Sequence, residues 1–290
     1  MANKMLIAIL LGQIISNPVF ASSVAYSRVK ACGIAAHVVT VNLADHETHV
    51  SVALASGGLG RSESFRSIVA RTRPSAAITG TFFDTRTLIP TGDIAVRGSI
   101  VHTGCIGSAV CIDRNNKASV VPLADGRKRN WSGYETVLCC GPALVTKGRA
   151  SVCLKRDGFG GSLQAPATRT AVGITRDGKL LLVAVNRKTS LTKVAQLMVS
   201  LGAIDALSLD GGSSTGFYAN GSLLANPPRK LTNLLVVYSR SVKYEQAMTA
   251  LLPAAWHPKA EPKPKPLQLA DSALTSAAAM PAIEAAVALR

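Results

Sequence analysis

The chain has 290 residues, of which 48% are hydrophobic and 17% charged. This composition excludes a chain that is disordered throughout, because enough apolar residues are present to form a core. No uninterrupted apolar stretch reaches the roughly 20 residues of a membrane-spanning helix, which excludes a polytopic membrane protein. The formal net charge of +16 favours anionic partners and gives no information about the fold.

The N-terminal segment is typical of a secretory signal peptide. Lys4 precedes an apolar run over residues 5–15, and Val19-Phe20-Ala21 ends in the small-x-small pattern that a signal peptidase accepts. We predict cleavage after Ala21. Cleavage after Ala25 is one alternative, and an uncleaved N-terminal anchor is another. Cleavage after Ala21 removes one basic residue, leaves a net charge of +15, and predicts a protein that is secreted or located in the periplasm or cell envelope.

Cysteine usage agrees with export to an oxidising compartment. The six cysteines are Cys32, Cys105, Cys111, Cys139, Cys140 and Cys153. An even number can pair into disulfides in several alternative ways, and the adjacent Cys139 and Cys140 are expected to take different partners. No C-x-x-C pair is present, so no metal site is predicted. No cofactor is expected.

The first half of the chain reads mainly as strands. Two β-branched segments, 35–43 and 49–55, are expected to pair with each other. A short helix is predicted over 62–71, before Pro74, and a buried strand over 76–79. Further short strands are predicted at 94–101, 108–113, 118–122 and 142–146.

The second half adds two hairpins and a helix. Asp177-Gly178 predicts a two-residue turn between strands within 171–185. A helix is predicted over 191–201, with Ser190 as its N-cap and Gly202 at its end. Two strands and a hairpin follow, at 203–209, at 217–224 around Asn220-Gly221, and at 231–238.

The sequence therefore predicts an α+β fold, with strand-dominated mixed sheets and a few helices in a single domain over residues 22–240. Beyond it the composition changes. Residues 257–266 form a Pro/Lys-rich stretch, which indicates an extended linker, and the last residues are rich in alanine. Residues 241–290 are accordingly predicted to be a linker and tail.

The segment Asp210-Gly211-Gly212-Ser213-Ser214-Thr215-Gly216 carries the strongest chemical signal. A carboxylate at the end of a strand, followed by glycines, places an acid or base beside backbone N–H groups that an anionic ligand can approach. A tight turn with no function has the same pattern. Residues 212–216 also fit the G-x-S-x-G nucleophile elbow, which requires a following helix and a downstream histidine. A hairpin follows instead, and the downstream His257 lies in the linker, so a Ser-His-Asp triad is not predicted.

Five segments together resemble, in order, the motif series of the phosphodiester glycosidase family, over residues 35–240. They are Ala77-Ile78-Thr79-Gly80-Thr81-Phe82-Phe83-Asp84, Gly141-Pro142-Ala143-Leu144-Val145, Arg169 to Gly178, Leu201 to Ser214, and Asn226-Pro227-Pro228.

The resemblance implies hydrolysis of a sugar-1-phosphodiester between the anomeric carbon and the phosphate-linked oxygen. Asp210 is the first candidate for the catalytic carboxylate and Asp84 the second. The residues expected to bind the phosphate or the sugar are Arg169, Thr79, Gly80, Gly211, Gly212, Ser213 and Ser214. The expected partner is an anionic glycan, such as an exopolysaccharide.

The chain departs from the family pattern at two places. Thr79 stands where the family usually has Asn, and Asn186-Arg187-Lys188 stands where it usually has Asp-Gly-Arg. The alternative function is therefore a non-catalytic envelope protein that binds anionic glycans. Basic residues occur as scattered pairs such as Arg229-Lys230. Nucleic-acid binding is not expected, because only 4% of residues are aromatic and no nucleic-acid-binding motif is recognised.

Overall fold

A computed structural model describes residues 22–104, 106–123 and 129–253. These residues form three sheets and three α-helices within one compact unit, which confirms the strand-dominated α+β class. Every described strand pair is antiparallel. The predicted signal peptide, the Pro/Lys-rich linker and the alanine-rich tail lie outside the described residues. None of the described helices is long and apolar enough to cross a membrane.

The largest sheet has seven strands in the order β1-β2-β13-β12-β14-β10-β11. Their bounds are β1 Val24–Ala31, β2 Ile34–Val41, β10 Ala143–Thr146, β11 Arg149–Ala150, β12 Ala167–Thr175, β13 Leu180–Thr189 and β14 Ala203–Leu209. Helix α2, Leu191–Ser200, packs its apolar stripe on one face of this sheet. The Ser190 hydroxyl accepts the Lys193 N–H at 3.3 Å, which confirms the predicted N-cap.

A second sheet has five strands in the order β16-β15-β4-β17-β3 and shares the main core with the first. Its strands are β3 His49–Leu54, β4 Ala76–Thr79, β15 Phe217–Ala219, β16 Ser222–Ala225 and β17 Asn233–Tyr238. Helix α1, Phe65–Thr72, packs on this sheet. The helix ends at Thr72, and Arg73 caps it with a left-handed φ of +47° that turns the chain before Pro74.

The third sheet has the order β6-β5-β9-β7-β8. Its strands are β5 Ile94–Val96, β6 Ser99–His102, β7 Ser108–Asp113, β8 Ala118–Pro122 and β9 Tyr134–Cys140. The predicted single strand 94–101 is thus two strands joined at Arg97-Gly98, which have φ of +53° and +72°. The sequence signal was weak because arginine is an unusual first residue for such a turn.

The predicted pairing of 35–43 with 49–55 is wrong. β2 pairs with β1 and β13 in the first sheet, whereas β3 pairs with β17 in the second. Both strands are buried along most of their length, so neither carries the alternation of polar and apolar residues that would restrict its partner.

The prediction of a two-residue turn at Asp177-Gly178 is also wrong. Thr175 N–H donates to the Lys179 carbonyl at 2.9 Å across three turn residues, and Gly178 alone of those three has a positive φ.

The packed domain continues past residue 240. Helix α3, Ser241–Leu251, begins inside the segment predicted as linker and buries Ala247 and Leu251. Its Tyr244 stacks on His49 with ring centroids 4.6 Å apart. Only two of its residues are buried, so its sequence has no broad apolar stripe that would predict a packed helix.

No disulfide joins cysteines within the described residues, which exclude Cys105. Cys111, Cys139 and Cys140 are buried on β7 and β9, while Cys32 and Cys153 are exposed. Burial raises the pKa of the Cys111 thiol to about 12. The three buried thiols pack as small apolar side chains.

Candidate active site

Asp210 lies directly after β14, as the sequence predicts, and its backbone is held on both sides. Its N–H donates to the Gly80 carbonyl at 3.1 Å, and its carbonyl accepts from the Thr170 hydroxyl at 2.7 Å. The residue is 9% exposed. Burial raises the pKa of its carboxyl to about 6, opposed by the Ser214 hydroxyl, the Arg229 charge and the Gly211 N–H. A carboxyl with this pKa can take up or release a proton near neutral pH.

Thr79 holds the segment that follows Asp210. Its hydroxyl donates to the Ser214 carbonyl and accepts the Gly216 N–H at 2.8 Å. Thr79 is 1% exposed. The hydroxyl therefore supports the backbone of residues 214–216, and a contact of Thr79 with substrate stays a prediction.

Gly80 is required by a close approach between β4 and β17. A Cβ atom at this position would lie 1.9 Å from Asn233 Oδ1. The Gly80 N–H donates to the Asn233 carbonyl at 3.1 Å. Gly80 therefore supports Asp210 through its carbonyl, and its N–H is not available for the predicted phosphate contact.

The glycine-rich segment folds into a 3₁₀ turn over Gly212–Ser214. A Cβ atom at Gly211 would lie 2.8 Å from the Thr168 carbonyl, and Gly212 has a φ of +60°. Thr168 fixes the turn by donating its hydroxyl to the Gly212 carbonyl at 2.9 Å. The N–H groups of Gly212 and Ser213 make no hydrogen bond within the described residues, so both can donate to a ligand.

Ser214 contributes a buried hydroxyl with unused hydrogen-bonding capacity. It makes no hydrogen bond of normal geometry within the described part of the chain. The hydroxyl is nevertheless close enough to lower the pKa of Asp210. Ser213, in contrast, is exposed at the surface of the turn.

Arg169 is buried, and backbone carbonyls engage part of its guanidinium. Its guanidinium donates to the carbonyls of Thr189 at 3.2 Å and Leu163 at 2.8 Å, and also to that of Ala165. Burial lowers the pKa of Arg169, which is 3% exposed. Its Nε and Nη2 groups thus bind three backbone carbonyls at one end of the largest sheet, and a phosphate contact of Arg169 stays a prediction.

Asp84 is the cap of an exposed turn. Its Oδ1 accepts the N–H groups of Arg86 at 2.8 Å and Thr87 at 2.9 Å. These backbone hydrogen bonds lower the pKa of its carboxyl. The structure therefore does not place this second predicted carboxylate in a buried catalytic environment.

Arg229 is the site residue that the sequence reasoning missed. Its charge lowers the pKa of Asp210, and its guanidinium lies over the Phe83 ring, 4.6 Å from the centroid. No acidic residue among those described forms an ion pair with it. Its position directly after the Asn226-Pro227-Pro228 motif was the available signal.

Other features of the surface do not compete with this site. Among the described residues, no three His, Cys, Asp or Glu side chains form a group that could hold a metal ion. Three cavities of about 490, 540 and 700 Å³ lie elsewhere, and none is lined by a predicted site residue.

The chain resembles known proteins in both sequence and fold. The phosphodiester glycosidase family model matches residues 72–238. The N-acetylglucosamine-1-phosphodiester alpha-N-acetylglucosaminidase of Bos taurus is 26% identical over 126 residues, which are 37% of this chain and 24% of the relative. This alignment covers about a quarter of the length of that curated relative.

Solved structures share the fold at low identity. The zebrafish N-acetylglucosamine-1-phosphodiester alpha-N-acetylglucosaminidase catalytic domain, auto-inhibited by its pro-peptide, matches with a TM-score of 0.61 and 23% identity, covering 78% of this chain and 85% of that one. A Synechocystis protein matches with a TM-score of 0.56 and 19% identity, covering 74% and 61%. A protein of Burkholderia pseudomallei K96243 matches with a TM-score of 0.51 and 15% identity, covering 71% and 74%. Since the family model spans more than half of the sequence, the chain belongs to the phosphodiester glycosidase family.

Proposed function

We propose that the protein hydrolyses a sugar-1-phosphodiester in an anionic glycan such as an exopolysaccharide. One observation carries the proposal. Asp210 is a buried carboxyl with a pKa of about 6, beside the Ser214 hydroxyl and under the charge of Arg229. This arrangement falls inside the region matched by the family model.

In the proposed reaction, the ionised Asp210 carboxylate accepts a proton from the water that attacks the anomeric carbon. A new bond forms between that carbon and the water oxygen. The bond from the carbon to the phosphate-linked oxygen breaks, and its electron pair leaves with the phosphate. A phosphate monoester can leave with little protonation, so a second buried carboxyl of the kind used by ordinary glycosidases is not required.

The leaving phosphate needs positive charge and hydrogen-bond donors. Arg229 supplies the charge, and its stacking on Phe83 restrains the guanidinium. The N–H groups of Gly212 and Ser213 supply donors that no protein group occupies within the described residues. The buried Ser214 hydroxyl lowers the pKa of Asp210 and so favours the ionised carboxylate that the reaction needs.

The position of the label after hydrolysis in ¹⁸O-enriched water tests this proposal directly. The probe is the methyl phosphodiester of N-acetylglucosamine 1-phosphate, with the protein beginning at Ser22. We expect ¹⁸O in the released sugar and none in methyl phosphate. Label in the phosphate would contradict a glycosidase and indicate a phosphodiesterase. The absence of sugar release from a panel of such diesters by a folded protein would contradict hydrolysis altogether.

Glycan binding without turnover is the second candidate function. It is favoured by the engagement of Arg169 with backbone carbonyls and by Asn186, whose amide donates to the Leu224 carbonyl at 3.0 Å where the family usually has a charged Asp. Tight, salt-sensitive binding of an anionic glycan without sugar release would support this alternative.

We also propose that the chain is exported and cleaved after Ala21. Strand β1 begins at Val24, which pairs with Val41. Cleavage after Ala21 leaves β1 whole, whereas cleavage after Ala25 removes its first two residues. The mass of the N-terminal peptide of the exported protein tests the site. We expect a start at Ser22, and a start at Tyr26 would contradict it.

A further inference from the structure

Phe82 is an aromatic side chain near Asp210 that the proposed reaction does not use. Its ring packs against Gly141, where a Cβ atom would lie 2.4 Å from the ring atom Cε2. The Gly141 N–H donates at 2.7 Å to the carbonyl of Ser208, near the end of β14. Gly80, which precedes Phe82 in the same segment, accepts the Asp210 N–H through its carbonyl. The Phe82 ring therefore lies at the end of the sheet that carries Asp210.

A second aromatic ring, that of Phe159, lies beside Phe82. The two ring centroids are 5.3 Å apart, the ring planes are tilted by 56°, and both side chains are half-buried. Phe159 belongs to the loop between β11 and β12, which is tied to the sheet at two points. Asp157 Oδ2 accepts the Ala143 N–H at 2.8 Å, and Arg169 donates to two carbonyls of the loop. Phe82 and Phe159 thus form one apolar surface in a fixed position, here called the aromatic wall.

Phe82 is not part of the hydrophobic core. Among the described residues, it is absent from the side chains that pack against the clusters of buried hydrophobic residues, whereas the neighbouring Phe83 packs on the cluster beneath α1. Phe83 forms an extended bridge with Pro90, and consecutive residues of an extended chain point to opposite sides. Phe82 therefore lies on the side opposite to Phe83 and to Arg229, whose guanidinium covers the Phe83 ring.

We propose that the aromatic wall binds the sugar ring of the substrate, while Arg229 binds its phosphate on the other side of residues 80–84. The C–H groups of a pyranose are apolar, so they lose water and gain dispersion energy when they pack on aromatic rings. Sites for small ligands combine such apolar walls with a few polar groups that fix the orientation. Asp210, which is bonded to Gly80 between the two sides, then lies at the anomeric carbon. This inference rests on the proposed function and assigns sugar-binding residues to the same site.

Equilibrium binding of the two expected products, N-acetylglucosamine and methyl phosphate, tests the aromatic wall. Ligand-detected NMR titrations measure the dissociation constant of each product for the wild type and the variants. The wall variant is Phe82→Ala. The matched control is Phe83→Ala, which removes the same ring from the next residue on the opposite side. Phe82→Leu and Phe83→Leu keep most of the packing volume and replace the alanine variants if either of those does not fold.

We expect Phe82→Ala to weaken the binding of N-acetylglucosamine by about tenfold and to leave the binding of methyl phosphate unchanged. Tenfold corresponds to about 1.4 kcal/mol, or to the burial of roughly 55 Å² of apolar surface. Phe83→Ala should show the reverse pattern, because it removes the ring that restrains Arg229. The leucine variants should show the same two patterns with smaller changes.

Three results would overturn the aromatic wall. They are a failure of the wild type to bind N-acetylglucosamine, an unchanged affinity for this sugar in Phe82→Ala, and an equal weakening of both products by that variant. These measurements do not require turnover. If the wild type hydrolyses no diester, the proposed function fails, but sugar binding that depends on Phe82 still supports the wall. Conversely, sugar release by Phe82→Ala with an unchanged KM for the methyl diester would overturn the wall and leave the hydrolysis intact.

Discussion

Asp210 and Asp84 are the two carboxylates that the sequence nominates, and the structure gives them opposite environments. Asp210 is buried after β14, and the pKa of its carboxyl rises to about 6. Asp84 is exposed in a turn, and two backbone N–H groups lower the pKa of its carboxyl. Both occur in family-like motifs, so a motif alone does not show which carboxylate can exchange protons near neutral pH. Burial and hydrogen-bond partners make that distinction.

The largest expected difference between Asp210 and Asp84 is in the rate of sugar release. Asp210→Asn should lower kcat for sugar release by about a thousandfold, since a general base contributes roughly a hundred- to ten-thousandfold. Asp84→Asn should change kcat by no more than about threefold, because its side chain caps a turn and an amide oxygen can still accept. Steady-state kinetics on the methyl diester monomer measure both. Comparable losses in the two variants would place Asp84 in the catalytic machinery and remove the contrast.

The Gly80 carbonyl accepts the Asp210 N–H, so a substitution of Gly80 tests this backbone support of Asp210. Gly80→Ala should lower the free energy of unfolding by about 3 kcal/mol or more, because the new Cβ would overlap Asn233 Oδ1. Gly133→Ala is the matched control, since a Cβ there meets no atom within 4 Å. Urea unfolding of both variants provides the measurement. A Gly80→Ala protein as stable as Gly133→Ala would show that the close approach is not a constraint.

The free energy of unfolding should depend on pH through the titration of the Asp210 carboxyl. Because the folded-state pKa of its carboxyl is raised from 3.8 to about 6, the folded protein holds this proton more tightly than the unfolded chain. The associated stability is fully present below pH 3.8 and is lost as pH rises through about 6. The loss should amount to about 2 to 3 kcal/mol at about 1.4 kcal/mol per pKa unit.

The difference in unfolding free energy between wild type and Asp210→Asn, measured from pH 4 to 7, isolates this contribution. A difference that stays constant over that range would mean that Asp210 titrates alike in the folded and unfolded states. The corresponding difference between wild type and Asp84→Asn should change in the opposite direction, since the pKa of Asp84 is lowered.

A change at Arg229 tests the environment of Asp210, because the charge of Arg229 lowers the pKa of the Asp210 carboxyl. Arg229→Ala should lower kcat/KM by about tenfold to thirtyfold through loss of a charged phosphate contact. The same change should raise the pKa of Asp210 further, since the Arg229 charge lowers it. The pH–rate profile measures both effects, with Lys230→Ala as the neighbouring exposed control. A profile whose midpoint moves downward, or equal losses in the two variants, would contradict this role.

The smallest expected effect concerns the Asp84 turn. Asp84→Ala removes the acceptor for the Arg86 and Thr87 N–H groups, which are exposed and can bond to water instead. Its melting temperature should fall slightly, and by less than that of Gly80→Ala. Thermal unfolding followed by circular dichroism tests this. A fall as large as that of Gly80→Ala would assign the turn a structural importance that its exposure does not suggest.

Local features of the fold were predictable from the sequence, while the assignment of strands to sheets was not. β4, α2 and the Asn220-Gly221 hairpin follow from short-range patterns, namely a buried run before Gly80, the Ser190 cap and a dipeptide suited to positive φ. β2 pairs with its chain neighbour β1, but its second partner β13 and the partner of β3, β17, lie more than a hundred residues away. A strand without alternating polarity has no local sequence pattern that identifies such distant partners.

In the candidate site, too, local features were predictable from the sequence and contacts between distant residues were not. Asp210 was predictable because a carboxylate at a strand end, followed by glycines, is visible in the sequence. The roles of Arg169 and Thr79 were not, because their hydrogen bonds run to carbonyls and amides of other elements that only the folded chain brings near. Arg229 was missed for a related reason, since its effect on Asp210 comes from proximity in space.

Titration of the Asp210 carboxyl tests the central claim most directly. The carboxyl ¹³C resonances of aspartate-labelled protein can be followed from pH 3 to 8, with the Asp210→Asn protein identifying the signal. We predict a midpoint near 6 for Asp210, with the Asp84 signal titrating below the ordinary range of aspartate. A midpoint near 3.8 for Asp210 would contradict the buried, proton-exchanging carboxyl on which the proposed hydrolysis depends.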